Sequence, residues 1–277
     1  MLQKHIIRGL IQIALEEDIG TGDVTTAAVL TGAEAGKAKA IAKADIVVAG
    51  IDVFREAFLF LDNSIQFTGY CDDGNVAETG EVLAEISGNL SSILMAERVA
   101  LNLLQRMCGI ATFTRRYVDE IKGTRAKILD TRKTAPGLRY FDKYAVRIGG
   151  GFNHRFGLYD GVLIKDNHIA AAGGISQALD RVRGRFPHTL KVEIEVKNLQ
   201  EVEEALISGA DVIMLDNMTI EDMRMSVAAV NGKVPLEASG NVSLANVRQI
   251  AETGVDFISV GALTNSVPAS DISLKIE

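Results

Sequence analysis

The sequence of 277 residues predicts an α/β protein in which a small α+β unit precedes an α/β barrel of parallel strands. Short apolar runs recur after Gly109, and each ends in a polar residue or a glycine. Helical patterns separate the later runs. The last polar residue or glycine of each of these runs, Glu195, Asp216, Ser239 and Gly261, lies 21 to 23 residues after the one before it, which is the spacing of βα units. Strands that are apolar throughout are typical of a parallel sheet covered on both faces. Because only six runs are distinct, an incomplete barrel fits the pattern as well as a closed one.

The elements of the first unit follow from local periodicity and from turn residues. Apolar residues at helical spacing predict three helices, the last with Ser91 or Ser92 as its N-cap. Alternation of alanine and lysine predicts a strand at the start of 36–50, and glycine-rich turns divide 64–88 into short strands. The predicted helices span 3–17, 51–61 and 91–107, and 20–26 is predicted to be a loop.

The predicted barrel takes its strands from the six apolar runs and its helices from the segments between the later runs. We expect the domains to divide at 106, giving a first domain of 1–106 and a barrel domain of 107–264. The tail 265–277 is expected to pack back on the first domain. The predicted strands are 127–130, 161–166, 192–196, 211–216, 235–239 and 257–261, and the predicted helices are 174–186, 199–209, 220–230 and 244–254.

Composition limits the classes of function. The formal net charge of −7 argues against a general nucleic-acid binder. The segment 130–168 nevertheless carries seven Lys/Arg against four Asp/Glu, which favours either a pocket for a small anion or a solvated charged face. Cys71 and Cys108 have no metal or redox spacing and are expected to be free, packed thiols. With neither a signal peptide nor an apolar span, the sequence predicts a cytoplasmic protein that does not bind membranes.

The ends of the predicted strands carry the candidate site, because α/β barrels place their working groups at the carboxyl ends of the strands. Cations dominate the early strand ends, and two carboxylates follow. Small residues with free backbone N–H groups come last, and such groups are typical of a phosphate-binding site. These candidates are Thr131, Arg132, Lys133, His154, Arg155, Lys165, Glu195, Asp216, Ser239, Gly240, Asn241, Gly261 and Ala262.

Several candidates have a plain structural alternative. Lys165 is compatible with a solvated lysine at a strand end. One of Glu193 and Glu195 is expected to face the helices and pair with a lysine, with Glu195 the inward group. Arg98 lies on a largely apolar stripe of helix 91–107, where it either pairs with Glu97 or reaches across an interface into a pocket.

At this point the sequence resembles the quinolinate phosphoribosyltransferase family. The resemblance covers nearly the whole chain and is carried by ERVALNLLQRMCGIAT, ILDTRKTAPGLR, KYAVRIGGGFNHRFGLYDGVLIKDNH, VEIEV, IMLDNM, EASGN and VDFISVGALT. It implies an N-terminal α/β sandwich, an open α/β barrel and a homodimer with shared active sites, with a higher oligomer possible. The implied reaction converts quinolinate and phosphoribosyl pyrophosphate to nicotinate mononucleotide, pyrophosphate and CO2 with Mg2+, in NAD biosynthesis. Lys197 departs from the acid that many relatives carry after VEIEV.

The resemblance also implies a role for each candidate residue. Arg98 would come from the neighbouring subunit, while Thr131, Arg132, His154, Arg155 and Lys165 would bind the quinolinate carboxylates. Lys133 would lie between quinolinate and the pyrophosphate. Glu195 and Asp216 would lie near the ribose hydroxyls and Mg2+, with the metal held largely through the substrate pyrophosphate. The implied catalytic residues are Lys133, Lys165, Glu195 and Asp216, and the implied phosphate-binding segments are 239–241 and 260–262.

Two other classes of function remain open on the sequence. One is an aldolase-like barrel in which Lys165 forms a Schiff base. The other is a barrel that binds a phosphorylated anion without catalysis. Both would use the same cations, and only the first class would trap substrate covalently on Lys165.

Overall fold

The computed structural model describes residues 2–277 and divides them into two compact units. The first unit contains residues 2–115, 135–150 and 267–277, and the second contains residues 116–134 and 151–266. In chain order the elements are α1 (Lys4–Ile19), α2 (Val24–Val29), β1 (Ala35–Ala42), β2 (Ile46–Val47), α3 (Ile51–Leu61), β3 (Gln66–Gly69), β4 (Val76–Ala77), β5 (Val82–Asn89), α4 (Leu90–Glu120), β6 (Lys127–Leu129), α5 (Arg139–Ile148), β7 (Val162–Ile164), α6 (Asp166–Ala172), α7 (Ile175–Arg183), β8 (Val192–Val196), α8 (Leu199–Ile207), β9 (Val212–Asp216), α9 (Ile220–Val230), β10 (Leu236–Ser239), α10 (Val247–Ala251), β11 (Phe257–Ser259), α11 (Ala262–Asn265) and β12 (Ile272–Ile276).

The first unit is built on an antiparallel sheet of order β12-β1-β5-β3. Ala38, Ala40 and Ala42 of β1 are fully buried, as their alternation with lysines predicts. The register pairs Ala38 with Ile276, so the last strand of the chain completes one edge of this sheet.

The second unit contains a six-stranded parallel sheet of order β6-β11-β10-β9-β8-β7. All six strands predicted from the apolar runs are present. In residues 2–277, β6 and β7 stand at the two ends of this order, so the curved sheet is an open barrel. The predicted fold class, α/β with an open parallel barrel after a first α/β unit, is therefore confirmed.

The structure differs from the predicted elements at several points. The segment predicted as a loop over 20–26 contains the start of α2, because Asp23 caps the helix by accepting from the backbone N–H groups of Thr25 and Thr26. Helix α4 continues without a break from Leu90 to Glu120, through the expected domain boundary at 106. Helix α5 was not expected, and it belongs to the first unit.

Two further expectations concern the cysteines and membrane-spanning helices. Cys71 and Cys108 are both free and buried. Among residues 2–277, no helix combines the length and the apolar character needed to cross a membrane.

Candidate active site

The second unit contains a cavity of about 690 Å³ at the carboxyl ends of its parallel strands. This size is within the usual range for small-molecule sites. The strands bring together side chains that are far apart in the sequence, as expected for the working end of a parallel sheet. The predicted residues that line the cavity are Thr131, Arg132, Lys133, His154, Arg155, Lys165, Glu195, Asp216, Ser239, Gly240, Asn241, Gly261 and Ala262.

Two predicted residues have other surroundings. Val260 is buried in the core, with 1% of its surface exposed. Arg98 belongs to the first unit, where its guanidinium lies 3.9 Å from the carboxylate of Glu97 and its side chain is 59% exposed. The pairing with Glu97 is one of the alternatives that the sequence left open, and the contribution of Arg98 to a neighbouring subunit stays a prediction.

The loop after β6 holds Lys133 by its backbone. The N–H of Lys133 donates to Oγ1 of Thr131 at 3.0 Å, and Oγ1 of Thr264 donates to the carbonyl of Lys133 at 2.8 Å. A Cβ atom at Gly261 would lie only 3.1 Å from Cδ of Lys133. The absence of a side chain at Gly261 thus leaves room for the lysine stem.

Arg132 and Arg155 form the cationic part of the cavity wall. Nη1 of Arg155 donates to the carbonyl of Gly161 at 3.0 Å. Burial and the neighbouring Arg132 lower the pKa of Arg155, while Glu193 and Asp160 oppose that shift. The buried Nε atoms of both arginines have no hydrogen-bond partner within the described residues. Both arginines line the cavity, and guanidinium groups suit an anionic ligand with more than one oxygen.

His154 lines the cavity, and both of its ring nitrogens meet protein groups. Its Nδ1 accepts from the backbone N–H of Arg155 at 2.7 Å, and its Nε2 is 2.9 Å from Oε2 of Glu193. Asp130 fixes the backbone here by accepting from the N–H of His154 at 2.9 Å and from Nδ2 of Asn153 at 2.6 Å.

The acidic side of the cavity is formed by Glu195 and Asp216, at the ends of the adjacent strands β8 and β9. Nζ of Lys165 lies 3.7 Å from Oε2 of Glu195, and the lysine side chain is 51% exposed. Burial, with a further contribution from the Asp216 carboxylate, raises the pKa of Glu195, and Lys165 opposes the shift. Lys197, the residue that departs from the family pattern, pairs with Asp166 at 3.0 Å.

The segment after β10 turns sharply over the last part of the cavity. Gly240 and Asn241 have φ of 94° and 51°, which are left-handed conformations that glycine and asparagine tolerate. Nδ2 of Asn241 donates to Oδ1 of Asn217 at 2.9 Å, and Nδ2 of Asn217 donates to Asp216 at 3.0 Å. The side chain of Asn241 is therefore linked to Asp216 through Asn217.

Sequence reasoning gave no site role to two acids near His154, namely Glu193 and Glu237. The expectation that Glu193 or Glu195 faces the helices and pairs with a lysine is wrong, because strand residues two apart share a face. Glu193 instead approaches His154, and Glu237 lies 3.8 Å from the same nitrogen. Burial and the neighbouring Glu193 raise the pKa of Glu237 well above its ordinary value. The spacing of two in VEIEV was the signal that Glu193 also points inward.

Two sets of side chains carry atoms that can coordinate a metal ion. Glu195 and Asp216 offer carboxylate oxygens beside the cavity, which suit a hard cation such as Mg2+. The unfavourable effect of Asp216 on ionised Glu195 is one that a cation would relieve. His154, Glu193 and Glu237 also place one ligand atom each within 4.8 Å of one another.

A cavity between guanidinium groups and paired carboxylates, at the carboxyl edge of an open parallel sheet, defines an α/β enzyme that acts on an anionic substrate. Two family models together match most of the chain. The C-terminal domain of quinolinate phosphoribosyl transferase matches residues 110–275, and the N-terminal domain matches residues 23–108. The chain belongs to the quinolinate phosphoribosyltransferase family, whose members are pentosyltransferases.

Curated relatives and solved structures agree with this assignment. A probable nicotinate-nucleotide pyrophosphorylase (carboxylating) from Bacillus subtilis is 44% identical over 260 residues, covering 94% of this chain and 90% of its own. The counterpart from Synechocystis is 45% identical and covers 98% and 92%. The structure of NadC from Streptococcus pyogenes has a TM-score of 0.97 at 39% identity, covering 100% and 98%. That of nicotinate-nucleotide pyrophosphorylase from Francisella tularensis has a TM-score of 0.96 at 42% identity, with the same coverage.

Proposed function

We propose that this chain transfers the phosphoribosyl group of phosphoribosyl pyrophosphate to quinolinate, with loss of CO2, to give nicotinate mononucleotide and pyrophosphate for NAD biosynthesis. The observation that carries this proposal is the single cavity that Arg132, Arg155 and Lys165 line together with Glu195 and Asp216. Quinolinate is a planar dianion, and guanidinium groups bind planar carboxylates through paired hydrogen bonds. Membership of the family supports the same substrate.

The reaction requires the protein mainly to position the two substrates and to stabilise the charges that develop. The pyridine nitrogen of quinolinate attacks C1 of the ribose while pyrophosphate leaves, and positive charge develops on the ribose ring. In this proposal Glu195 and Asp216 stabilise that charge, and Lys133 stabilises the leaving pyrophosphate. The support is that all three residues line the cavity. The ribosylated pyridine nitrogen then carries a positive charge, which stabilises the electron pair left on the ring carbon when CO2 departs. That carbon takes up a proton from water to give nicotinate mononucleotide. No general base is needed for either step.

Mg2+ is part of the proposal. Glu195 and Asp216 are the residues that would hold the ion, together with substrate oxygens, and when bound it would supply charge that favours departure of pyrophosphate. The support is the oxygen-only donor set of the two carboxylates and the burial of Glu195, which is 12% exposed in its side chain.

The quaternary structure and the location are proposals of the same standing. Arg98 is 59% exposed on α4, so its guanidinium is accessible to a second copy of the chain. We propose a homodimer in which Arg98 enters the neighbouring subunit's site. The cytoplasmic location expected from the sequence stays a prediction.

The Schiff-base alternative fits the site poorly. A lysine that forms a Schiff base needs to be desolvated or placed beside another cation so that its amine is uncharged. Lys165 is half exposed, and its Nζ lies 3.7 Å from Oε2 of Glu195. Borohydride treatment in the presence of a carbonyl substrate would leave an adduct on Lys165 only under this alternative.

A product assay tests the proposal. The purified chain is incubated with phosphoribosyl pyrophosphate, Mg2+ and quinolinate labelled at the carboxyl carbon that is lost, and nicotinate mononucleotide and labelled CO2 are measured. Both products are expected in equal amounts, with nicotinate inactive as acceptor and with chelation of Mg2+ stopping the reaction. Binding of quinolinate without products would favour the non-catalytic alternative, and absence of both would refute the proposal.

A further inference from the structure

Asn217 lines the cavity, and the reaction described above gives it no role. It follows Asp216 at the carboxyl end of β9, and its backbone N–H donates to the carbonyl of Ser239 at 2.9 Å, at the end of β10. The two strands carry different parts of the candidate site. Strand β9 ends in the acid Asp216, whereas β10 leads into the segment 239–241, which is expected to bind phosphate.

The side chain of Asn217 spans these two parts. Its Nδ2 donates to Oδ1 of Asp216 at 3.0 Å, and its Oδ1 accepts from Nδ2 of Asn241 at 2.9 Å. A carboxylate only accepts hydrogen bonds, so the contact with Asp216 fixes which end of the amide carries the NH2 group. The oxygen is then the end that faces Asn241. One amide group therefore bridges the acid and the phosphate segment.

The backbone of Asn217 restricts which residues can make this bridge. Its φ is 54°, a left-handed conformation that glycine, asparagine and aspartate adopt most readily. Glycine would offer neither hydrogen bond. Aspartate would offer no donor to Asp216 and would add a like charge beside it. Of these three residue types, only asparagine has both the donor and the acceptor that the bridge requires.

The neighbouring segment leaves room for the bridge and holds its far end. Gly240 has a φ of 94°, and a Cβ atom there would lie 2.5 Å from Cγ of Asn217. A side chain at position 240 would therefore displace the amide. Nδ2 of Asn246 donates to the carbonyl of Asn241 at 3.0 Å, which fixes the residue that Asn217 contacts.

We propose that Asn217 is a positioning residue that sets the Asp216 carboxylate relative to the phosphate segment 239–241, so that a single ribose phosphate group meets both. The carboxylate suits ribose hydroxyls as an acceptor, and backbone N–H groups suit a phosphate. Because one ligand carries both groups, their separation in the site affects its affinity. The choice of ribose phosphate as the ligand rests on the proposed function, whereas the hydrogen-bonded bridge does not.

Replacement by glycine removes the bridge and keeps the left-handed backbone. Ribose 5-phosphate is the probe, because it has the ribose hydroxyls and a phosphate but lacks the pyrophosphate leaving group. Without added metal, we expect Asn217→Gly to raise its dissociation constant about tenfold, measured by calorimetry. The dissociation constant for quinolinate should change by less than about twofold. Asn231→Gly is the matched control and should change neither constant, because Asn231 also has a left-handed φ, 48°, but caps the C-terminal end of α9.

A double-mutant cycle tests whether the two bridged asparagines act together. Asn241→Gly also preserves a left-handed backbone, since φ is 51° at this position. If the bridge positions the segment, the double variant should bind ribose 5-phosphate at least about threefold more tightly than the product of the two single losses predicts. Losses that multiply independently, or an unchanged dissociation constant in Asn217→Gly, would overturn the positioning role.

The outcomes separate this inference from the proposed function. If the unmodified chain gives products while Asn217→Gly and Asn231→Gly bind ribose 5-phosphate equally, only the positioning role is refuted. If the unmodified chain gives no products and does not bind ribose 5-phosphate, the proposed function is refuted, and with it the ligand named here. If Asn217→Gly does not fold, NMR of the unmodified chain measures hydrogen exchange of the Asn217 side-chain amide. Slowed exchange supports the bridge, and exchange at the rate of a free amide overturns it.

Discussion

The hydroxyl of Thr264 donates a hydrogen bond to the backbone carbonyl of Lys133 at 2.8 Å, and joins α11 to the loop that follows β6. Together with the Thr131 hydroxyl, which accepts from the N–H of Lys133, it fixes both backbone groups of the lysine. A short side chain on a neighbouring element thus sets the position of a residue that is expected to contact the leaving group.

Thr264→Val removes this hydrogen bond with little change in volume. We expect kcat to fall about five- to tenfold, the effect of about 1 to 1.4 kcal/mol, because the Lys133 carbonyl loses its donor. Thr264→Ser should recover most of the activity. Thr253→Val is the matched control, since the Thr253 hydroxyl makes the same kind of bond to the carbonyl of Ile250. Steady-state kinetics and thermal unfolding of all three variants are compared, and an equal loss of kcat in Thr253→Val would refute positioning.

Lys133→Ala should separate turnover from binding. The lysine is expected to stabilise the departing pyrophosphate, so kcat should fall by about 100-fold or more. The dissociation constant for quinolinate, measured by calorimetry, should change by less than about threefold. Lys122→Ala serves as the control, because Lys122 is 73% exposed and pairs with Asp119. A parallel loss of quinolinate affinity and kcat would show that Lys133 binds substrate and does not act on the leaving group.

Mixed dimers test whether sites are shared. Arg98→Ala and Lys165→Ala should each be inactive alone. If Arg98 enters the neighbouring subunit's site, a mixed dimer has one site with both lesions and one site with neither. Refolding an equal mixture should then restore about a quarter of the unmodified activity. No recovery, with mixed dimers detected by mass, would place Arg98 in the site of its own subunit or outside any site.

The stability of the chain should depend on pH through Glu237. Its pKa is raised above 4.5 in the folded state, chiefly by burial, so the folded chain keeps a proton that the unfolded chain releases. The stability from this group is present below about pH 4.5 and is lost as pH rises toward the folded pKa, at up to about 1.4 kcal/mol per pH unit.

Glu237→Gln removes that titration. The variant should therefore gain stability relative to the unmodified chain as pH is raised from 5 to 8, measured by urea unfolding at each pH. Groups remote from Glu237 titrate alike in both proteins and cancel in the difference. A difference that is constant across this range would contradict a raised pKa for Glu237.

Thiol chemistry gives a further prediction. Burial raises the pKa of Cys108 to about 12, so almost no thiolate is present at pH 8. Burial also raises the pKa of Cys71. A disulfide reagent should therefore react with neither thiol in the native chain, and with two per chain in denaturant. Rapid reaction of one thiol under native conditions would indicate local opening around it.

The strands and the rim of the cavity were predictable because their signals are local. An apolar run that ends in a charged residue indicates both a buried strand and a polar group at its carboxyl end, as at Leu129 and Asp130 or Leu215 and Asp216. Parallel geometry then brings those ends to one edge without further information.

Helix α5 could not be predicted from the sequence in the same way. Its buried face includes Asp142 and Lys143, which break the apolar periodicity that identifies a helix. Asp142 is buried because Arg106 binds both of its carboxylate oxygens at 2.8 Å. That partner is 36 residues away in the sequence, and no local pattern indicates it.

The two acids near His154, Glu193 and Glu237, were hidden for a related reason. Glu237 interrupts the strand sequence LEAS and looks like a solvent-facing residue. Its burial depends on Glu193 and His154, which come from other elements. Interactions among three distant segments are decided by packing, and only coordinates show them.

The pairing of β12 with β1 has a consequence for biosynthesis. A ribosome releases β1 early, whereas β12 emerges only after every strand of the parallel sheet. Until then the outer edge of β1 presents unpaired backbone groups, which can recruit strands from other nascent chains. Lys37 and Lys39, the alternating lysines of β1, carry charges that disfavour such pairing before β12 emerges.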